Sequence, residues 1–384
     1  MAHFAIPSHV LTGKGSLADS GPYLSGMGSK AFIVTGKHVG RSPMAAKLKK
    51  VLGENKIGYE VFDGITGEPT DAMIEEGLDL YKESGCDFVI GIGGGSPIDS
   101  AKAIAAMSVL PGSIADFNGK PLAGTFPPIV AVPTTAGTGS EATKFTIITD
   151  LKNDIKMLLA GDALVPQLAI LEPEFTLDMP KSVTAATGLD ALTHVVEAYT
   201  SRKALALTDA HAIQAVKRIM KYLPAAYSNG YDFEAREQMQ IAAIEGGICI
   251  NNSSVTIVHG MSRPIGALFH VAHGMSNAML LKDCLGFALP GAYERFGTLG
   301  REIGAASEKD SDQTASEALL DKIGELCDIC EIPTLREYGI TEEQFEPVIE
   351  KMAGDAIASG SPGNTRREVT KEDCMNIYRQ VFDR

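Results

Sequence analysis

The chain has 384 residues, 45% of them hydrophobic, with six cysteines and a formal net charge of −14. That length suits two domains with substantial cores, and the acidic balance argues against a non-specific nucleic-acid binder, which needs basic surface to displace counterions. No apolar run approaches the roughly 20 residues of a membrane span, and MAHFAIPSHV lacks the basic start and apolar core of a signal peptide, so a cytoplasmic protein is expected.

Residues 1 to about 180 alternate short β-rich apolar runs with amphipathic stretches, the pattern of parallel strands with helices between them. KAFIVTG (30–36) predicts a buried strand ending at Gly36. A helix follows over SPMAAKLKKVLGE, with Ser42 as its cap and Pro43 at its first position. YEVFDGI (59–65) predicts the next strand, and Thr70 opens the helix DAMIEEGLDLYKESG. CDFVIGIGGGSPIDSAKAIAAM (86–107) combines a strand, three glycines and a helix starting at Ser96 and Pro97. PIVAVPTTAGTGSEAT (128–143) runs another strand into a Thr/Gly/Ser-rich loop. FTIITDLKNDIKMLLAGD predicts two strands at the edge of the sheet, joined by a polar turn at Lys152 to Asp154, and LAILEP (168–173) predicts a last strand. After MPKS (179–182) the composition turns helical, which sets an α/β domain over 1–180 and a helical domain over 181–384.

The cysteines, at 86, 249, 284, 327, 330 and 374, are scattered through a large chain, and reduced thiols are expected. Cys327 and Cys330 form a lone CxxC in GELCDICEIPT, which reads as one face of a helix ending before Pro333 rather than a zinc or redox site.

Two features carry chemistry. The strand feeding GGGS and then a helix is suited to a phosphate: glycines let the backbone approach, and the free amides at the helix N-terminus supply donors and partial positive charge. Any tight strand-to-helix turn also uses glycines, but the second loop at PTTAGTGS, at the end of another strand, favours a dinucleotide crevice. The second feature is a set of four potential metal ligands in two pairs. Asp190 and His194 are four apart in GLDALTHVVEAYT, which on a helix puts them on one face; His259 and His273 lie in VHGMSRPIGALFHVAHG. Three imidazoles and a carboxylate would hold a divalent transition metal with room for a substrate oxygen. The bland reading is a satisfied core histidine and a carboxylate bridging within its own helix, with Thr193, Glu197 and Tyr199 as polar neighbours that have no metal role.

GGGSPIDSAK, PTTAGTGSEAT, GLDALTHVVEAYTS and HGMSRPIGALFHVAHGMSNAMLL resemble the four signatures of the iron-containing (group III) alcohol dehydrogenases, which include lactaldehyde reductases and propanediol dehydrogenases. The resemblance extends from FAIPSHVLTGKGSL to EVTKEDCMNIYRQVF. It implies a Rossmann-like α/β N-terminal dinucleotide-binding domain and an all-α C-terminal metal-binding domain, an architecture like that of dehydroquinate synthase. It also implies Fe²⁺, with Zn²⁺ as the main competitor, held by Asp190, His194, His259 and His273. NAD(H) or NADP(H) would be held at the pyrophosphate by Gly93, Gly94, Gly95 and Ser96, with Asp99 near the nicotinamide. Thr134 and Thr135 would serve the adenine and ribose side, Thr138 and Ser140 would follow along the same loop, and Lys156 would reach the ribose. Relatives form dimers, often through an N-terminal strand such as HFAIPSHV could provide, and some assemble further, so a homodimer or higher homo-oligomer is expected.

Two departures from the family pattern bear on specificity. Gly36, followed by Lys37, stands where many NAD-specific members carry an aspartate that repels a 2′-phosphate, so the bar to NADP is relaxed. Arg263 stands where lactaldehyde-reducing relatives often carry a proton-transferring histidine, which leaves His270 as a candidate for that role. Arg263, with the polar run Asn251, Asn252, Ser253 and Ser254, suits a short aldehyde with a distal carboxylate or sulfonate, unless it pairs with a structural carboxylate instead. The expected activity is a metal-dependent oxidoreductase acting on a small primary alcohol or aldehyde. The alternatives are a zinc-dependent polyol dehydrogenase of the glycerol type and a non-catalytic nucleotide-binding sensor.

Overall fold

Eight strands account for the extended structure of the chain in a computed structural model, which describes residues 3–153 and 155–384. They are β1 (His9–Thr12), β2 (Lys30–Val34), β3 (Gly58–Phe62), β4 (Phe88–Gly93), β5 (Ile129–Pro133), β6 (Phe145–Asp150), β7 (Ile155–Ala160) and β8 (Leu168–Leu171). The described residues divide into two compact units, Ala5–Thr135 with Gly139–Asp178, and Met179–Arg384 with residues 3–4 and Ala136–Thr138.

In the first unit six strands form one parallel sheet in the order β1-β8-β5-β4-β2-β3. Side chains alternate across it: Ala31 and Ile33 of β2 enter one core, and Phe32 and Val34 enter the other. Apolar layers cover both faces, and every residue of β4 is buried as a result. Helices α1 (Pro43–Glu54), α2 (Asp71–Ser84) and α3 (Gly95–Met107) supply much of that cover. The two predicted caps form: Ser42 Oγ accepts from the Met44 amide, and Thr70 Oγ1 from the Met73 amide. Strand order reverses between β2 and β4, so the carboxyl ends of these two strands bound the crevice that open α/β sheets offer to ligands.

The segment from β6 to β7 departs from expectation. It forms a separate two-stranded antiparallel sheet, not an edge of the main one, whose edges are β1 and β3. Long-range bonds explain this. The Asp99 carboxylate of α3 accepts the Ile147 amide at 3.0 Å, Lys102 Nζ donates to the Phe145 carbonyl at 2.9 Å, and the Thr149 amide donates to the Pro69 carbonyl at 2.8 Å. The hairpin is thereby anchored to α3 and to the loop before α2. The far end of the predicted turn, Asp154, lies outside the described residues.

The second unit is helical and is built around α4 (Lys181–Thr200), most of whose residues are buried. A helix enclosed on all sides must satisfy its polar groups internally. Thr193 and Thr200 do so by donating to carbonyls one turn back, those of Leu189 and Val196. Around α4 lie α5 (Ala206–Ser228), α6 (Phe233–Ser253), α7 (Ile257–Phe269) and α8 (His273–Ala288). Ser254 breaks α6 from α7 with φ of 65°, and the two axes differ by 105°. Among the described residues no single helix is long and apolar enough to cross a membrane. All six cysteines are free, and Cys327 and Cys330 close the helix α9 (Asp312–Ile329), where burial pushes both thiols up to about 12. Thiols so protonated are poor nucleophiles and poor metal ligands.

Candidate active site

Helix geometry assembles the first half of the site: Asp190 and His194 are one turn apart on α4, with their rims facing the same way. His259 lies in the first turn of α7, and His273 opens α8 after a reversal in which His270 adopts a left-handed φ of 54°. The start of α8 lies so close to α4 that a β-carbon at Gly274 would be 2.5 Å from the Ala186 carbonyl oxygen, so glycine is required there. All four predicted ligands converge. One donor atom from each lies within 4.8 Å of the others, and Asp190 Oδ1 is 3.8, 3.8 and 3.7 Å from Nε2 of His194, His259 and His273. Ligands ~2.1 Å from one ion lie ~3–4 Å apart, so this spacing fits a shared cation.

The electrostatics agree with that fit. Burial opposes the charge on Asp190, yet the three imidazoles and the Asn277 amide hold its carboxyl below the ordinary range. Burial, reinforced by His194 and His273, pushes His259 well below the usual imidazole range, which leaves a neutral ring with a lone pair to give. His194 Nδ1 is buried with no hydrogen-bond partner. A buried carboxylate facing three imidazole nitrogens is the donor set of a divalent transition metal.

Two further residues complete this cluster: Glu197, which the sequence suggested was a polar neighbour with no metal role, and Asn277, to which it gave no role. Glu197, fully buried on α4, accepts three hydrogen bonds: from Thr256 Oγ1 and the Val258 amide, each at 2.7 Å on Oε1, and from His259 Nδ1 at 2.5 Å on Oε2. Asn277 Nδ2 donates to Asp190 Oδ1 at 2.7 Å and lies 3.2 Å from His259 Nε2. A sequence signal existed for each: Glu197 stands three residues after His194 inside an apolar helix, and Asn277 four after His273.

In the α/β unit, α3 begins at Gly95 with Gly94 as its cap and no side chain bonded to its first turn. The glycines differ in their reasons. Gly93 has φ of 149°, and a β-carbon there would sit 2.6 Å from Pro97 Cγ. Gly94 has an ordinary φ of −74°, and a β-carbon would meet only Thr135, at 3.6 Å. Protein packing therefore does not demand Gly94, and the open space beside it with the free amides of Gly95 and Ser96 fits a pyrophosphate. Thr134 donates its amide to the Gly93 carbonyl at 2.8 Å, which joins the two predicted loops.

Other predicted cofactor residues have partners within the protein. Asp99 accepts from Ser140 Oγ and the Ile147 amide, and Lys156 Nζ pairs with Glu68 at 2.6 Å. Gly36 is explained by close approach, since a β-carbon there would lie 2.7 Å from the Ile65 carbonyl oxygen. Thr138 belongs to the helical unit and, with Ser182, Ala186, Thr187, Asp190 and His273, lines a mainly apolar cavity of about 350 Å³.

Arg263 lies one turn beyond His259 on α7 and donates from a guanidinium nitrogen to Ser361 Oγ at 3.1 Å. No carboxylate among the described residues lies within ion-pairing distance of it, and burial lowers its pKa despite the opposing pull of Glu197. The polar run before His259 turns inward: Asn252 Nδ2 bonds the Ile248 carbonyl, Ser253 Oγ bonds Thr208 Oγ1, and Ser254 Oγ accepts from Asn364. His270 is exposed at the C-terminus of α7 and makes no hydrogen bond to the four ligands.

Residues 7–173 match the family described as iron-containing alcohol dehydrogenase, and residues 184–382 match the C-terminal family of Fe-containing alcohol dehydrogenases. Alcohol dehydrogenase 4 of Schizosaccharomyces pombe is 37% identical over 94% of this chain and 85% of its own length. The NAD-dependent methanol dehydrogenase of Bacillus methanolicus is 34% identical over 100% of each. Among solved structures, a 1,3-propanediol oxidoreductase superposes with a TM-score of 0.96 at 32% identity, covering 100% of both chains.

Proposed function

This chain belongs to the iron-containing alcohol dehydrogenase family, a family of oxidoreductases, and we propose that it interconverts a small primary alcohol bearing a distal anionic group with the corresponding aldehyde. The cofactor is NAD(H) or NADP(H), held by Gly93 to Ser96 and by the Thr134 and Thr135 loop. Asp190, His194, His259 and His273 bind Fe²⁺, or Zn²⁺ in its place. When bound, the ion supplies a Lewis acid for the alcohol or aldehyde oxygen, and the nicotinamide takes or gives the hydride.

The protein's own groups do the rest. Asn277 holds Asp190 Oδ1 in one orientation, and the apolar walls Ala186, Val183 and Met275 of the cavity beside His273 limit water around the reacting carbon. Because the His270 ring is exposed and bonded to none of the ligands, the alcohol proton in this proposal leaves by water along the same cavity, past Thr138 and His273. Gly36 presents no carboxylate to a 2′-phosphate, which supports the use of either dinucleotide.

Arg263 is the observation that carries the anionic substrate. A half-buried guanidinium with a hydroxyl partner and, among the described residues, no carboxylate within ion-pairing distance is poised for an anion, and a guanidinium grips carboxylate or sulfonate with two parallel bonds. Arg263→Ala should raise KM for a short anionic aldehyde about 10–100-fold, from the ~1.5–3 kcal/mol of a charged hydrogen bond, while KM for propanal moves less than twofold. An equal rise for both substrates would assign Arg263 to structure and withdraw the anionic reading.

The proposal includes a homodimer. Among the described residues β1 is an edge strand paired with β8 alone, and Ile6 and Val10 on it or just before it are 48% and 41% exposed, which makes an open, partly apolar edge. Light scattering should give twice the chain mass for the wild type and a shift towards the monomer for Val10→Pro, which removes a ladder donor. A wild-type monomer at micromolar concentration would contradict it.

A further inference from the structure

Nothing in the family resemblance gives Glu197 a task, yet it is the most fully bonded carboxylate at the site. Its Oε1 is committed to the Thr256 hydroxyl and the Val258 amide, both of which can only donate in that arrangement, and its Oε2 meets His259 Nδ1. On the other side of the same ring, the Asn277 amide nitrogen, a donor, stands 3.2 Å from His259 Nε2. A carboxylate on Nδ1 requires the proton there, and a donor facing Nε2 requires the lone pair there. Both neighbours select one tautomer. His194 is different, since its Nδ1 has no hydrogen-bond partner among the described residues.

We infer that Glu197 is a positioning residue that locks His259 as the Nδ1–H tautomer, with the Nε2 lone pair aimed at Asp190, so that the metal site is set before any ion arrives. The inference rests on the metal reading of the four ligands. Its chemistry explains why a carboxylate and not an amide occupies position 197. A glutamine has one acceptor oxygen. Placed on Thr256 and Val258, it turns its NH₂ towards His259 Nδ1 and drives the proton to Nε2, where it blocks a ligand bond. Placed on His259, it sets NH₂ against the Val258 N–H. Either way a donor meets a donor, at Asn277 and the protonated Nε2 in the first arrangement and at Val258 in the second. Partners that orient a ligating imidazole typically contribute 10–100-fold to metal affinity.

The test is zinc release from the Zn²⁺-loaded full-length protein to a chromophoric chelator, with Glu197→Gln, Glu197→Asp and Thr256→Val beside the wild type. Glu197→Gln should lose zinc about 10–100-fold faster, Glu197→Asp should fall between it and the wild type, and Thr256→Val should shift only a few-fold, while the Kd for NADH, read by its fluorescence, is unchanged in all three. Wild-type release from Glu197→Gln, at one zinc per chain, overturns the inference. If Glu197→Gln does not fold, the decision falls to Glu197→Asp: release at the wild-type rate overturns the inference, and faster release supports it. A wild-type chain that retains no zinc overturns the metal reading itself, a result separable from the failure of Glu197 alone.

Discussion

His259→Ala and His273→Ala should each abolish measurable turnover while binding NADH within about twofold of the wild type, because the residues assigned to the cofactor sit on β4, α3 and the loop after β5. The physical basis is the cluster itself: four donor atoms within 4.8 Å and one carboxylate already below its ordinary range. Truncating His259 removes a neutral imidazole and also leaves Glu197 without one of its three donors, so a loss of stability of about 1–3 kcal/mol should accompany the loss of activity. His273 is different, with a side chain 41% exposed against 4% for His259, so its removal should cost activity at less cost in stability. Thermal unfolding of the two metal-free variants separates these effects. Chelation should silence the wild type and added Fe²⁺ or Zn²⁺ should revive it, with no revival in His259→Ala. Turnover that survives in either variant after complete metal stripping would remove the metal from the reaction.

Local rules carried much of this far from the sequence. Ser42 with Pro43, and Thr70 before its helix, announce helix starts because a cap is bonded within three residues of itself. Asp190 and His194 announce a shared face because α-helical periodicity needs no tertiary information. What stayed hidden was set by partners far along the chain. Nothing near Glu197 indicates that its carboxylate meets residues 59 to 62 positions later. The β6–β7 hairpin looks like an edge pair, and only bonds to Asp99, Lys102 and Pro69 show why it leaves the sheet. The Asn and Ser residues before His259 suggest a polar pocket wall, but Asn252, Ser253 and Ser254 bond the Ile248 carbonyl, Thr208 Oγ1 and Asn364 within the protein. Gly36 illustrates the same limit: its lack of a carboxylate was legible, whereas its steric cause, the Ile65 carbonyl, was not.

Lys102→Met should destabilise the protein by about 3–5 kcal/mol, the usual result of removing one partner from a buried ionic group. Lys102 is fully buried on α3, and its ammonium donates to Thr143 Oγ1, Ser140 Oγ and the carbonyls of Thr143 and Phe145 at 2.8 to 3.1 Å. Methionine fills the volume but abandons those acceptors and leaves Asp99 and Glu141 with no cation beside them. The same bonds anchor the β6–β7 hairpin and the Ser140 loop to α3, so NADH affinity should fall as well. The pH dependence gives an independent reading. Burial depresses the Lys102 pKa from 10.5 to about 8, partly offset by Asp99 and Glu141. A folded chain that gives up this proton before the unfolded chain does gains stability as pH rises between those two values, by on the order of 3 kcal/mol in full. Lys102→Met lacks that gain, so the gap between wild type and variant in urea unfolding should be wider at pH 10 than at pH 7. A variant within 1 kcal/mol of the wild type at both pH values would mean that the hairpin is held without this ammonium, and that the reason for its departure from the sheet lies elsewhere.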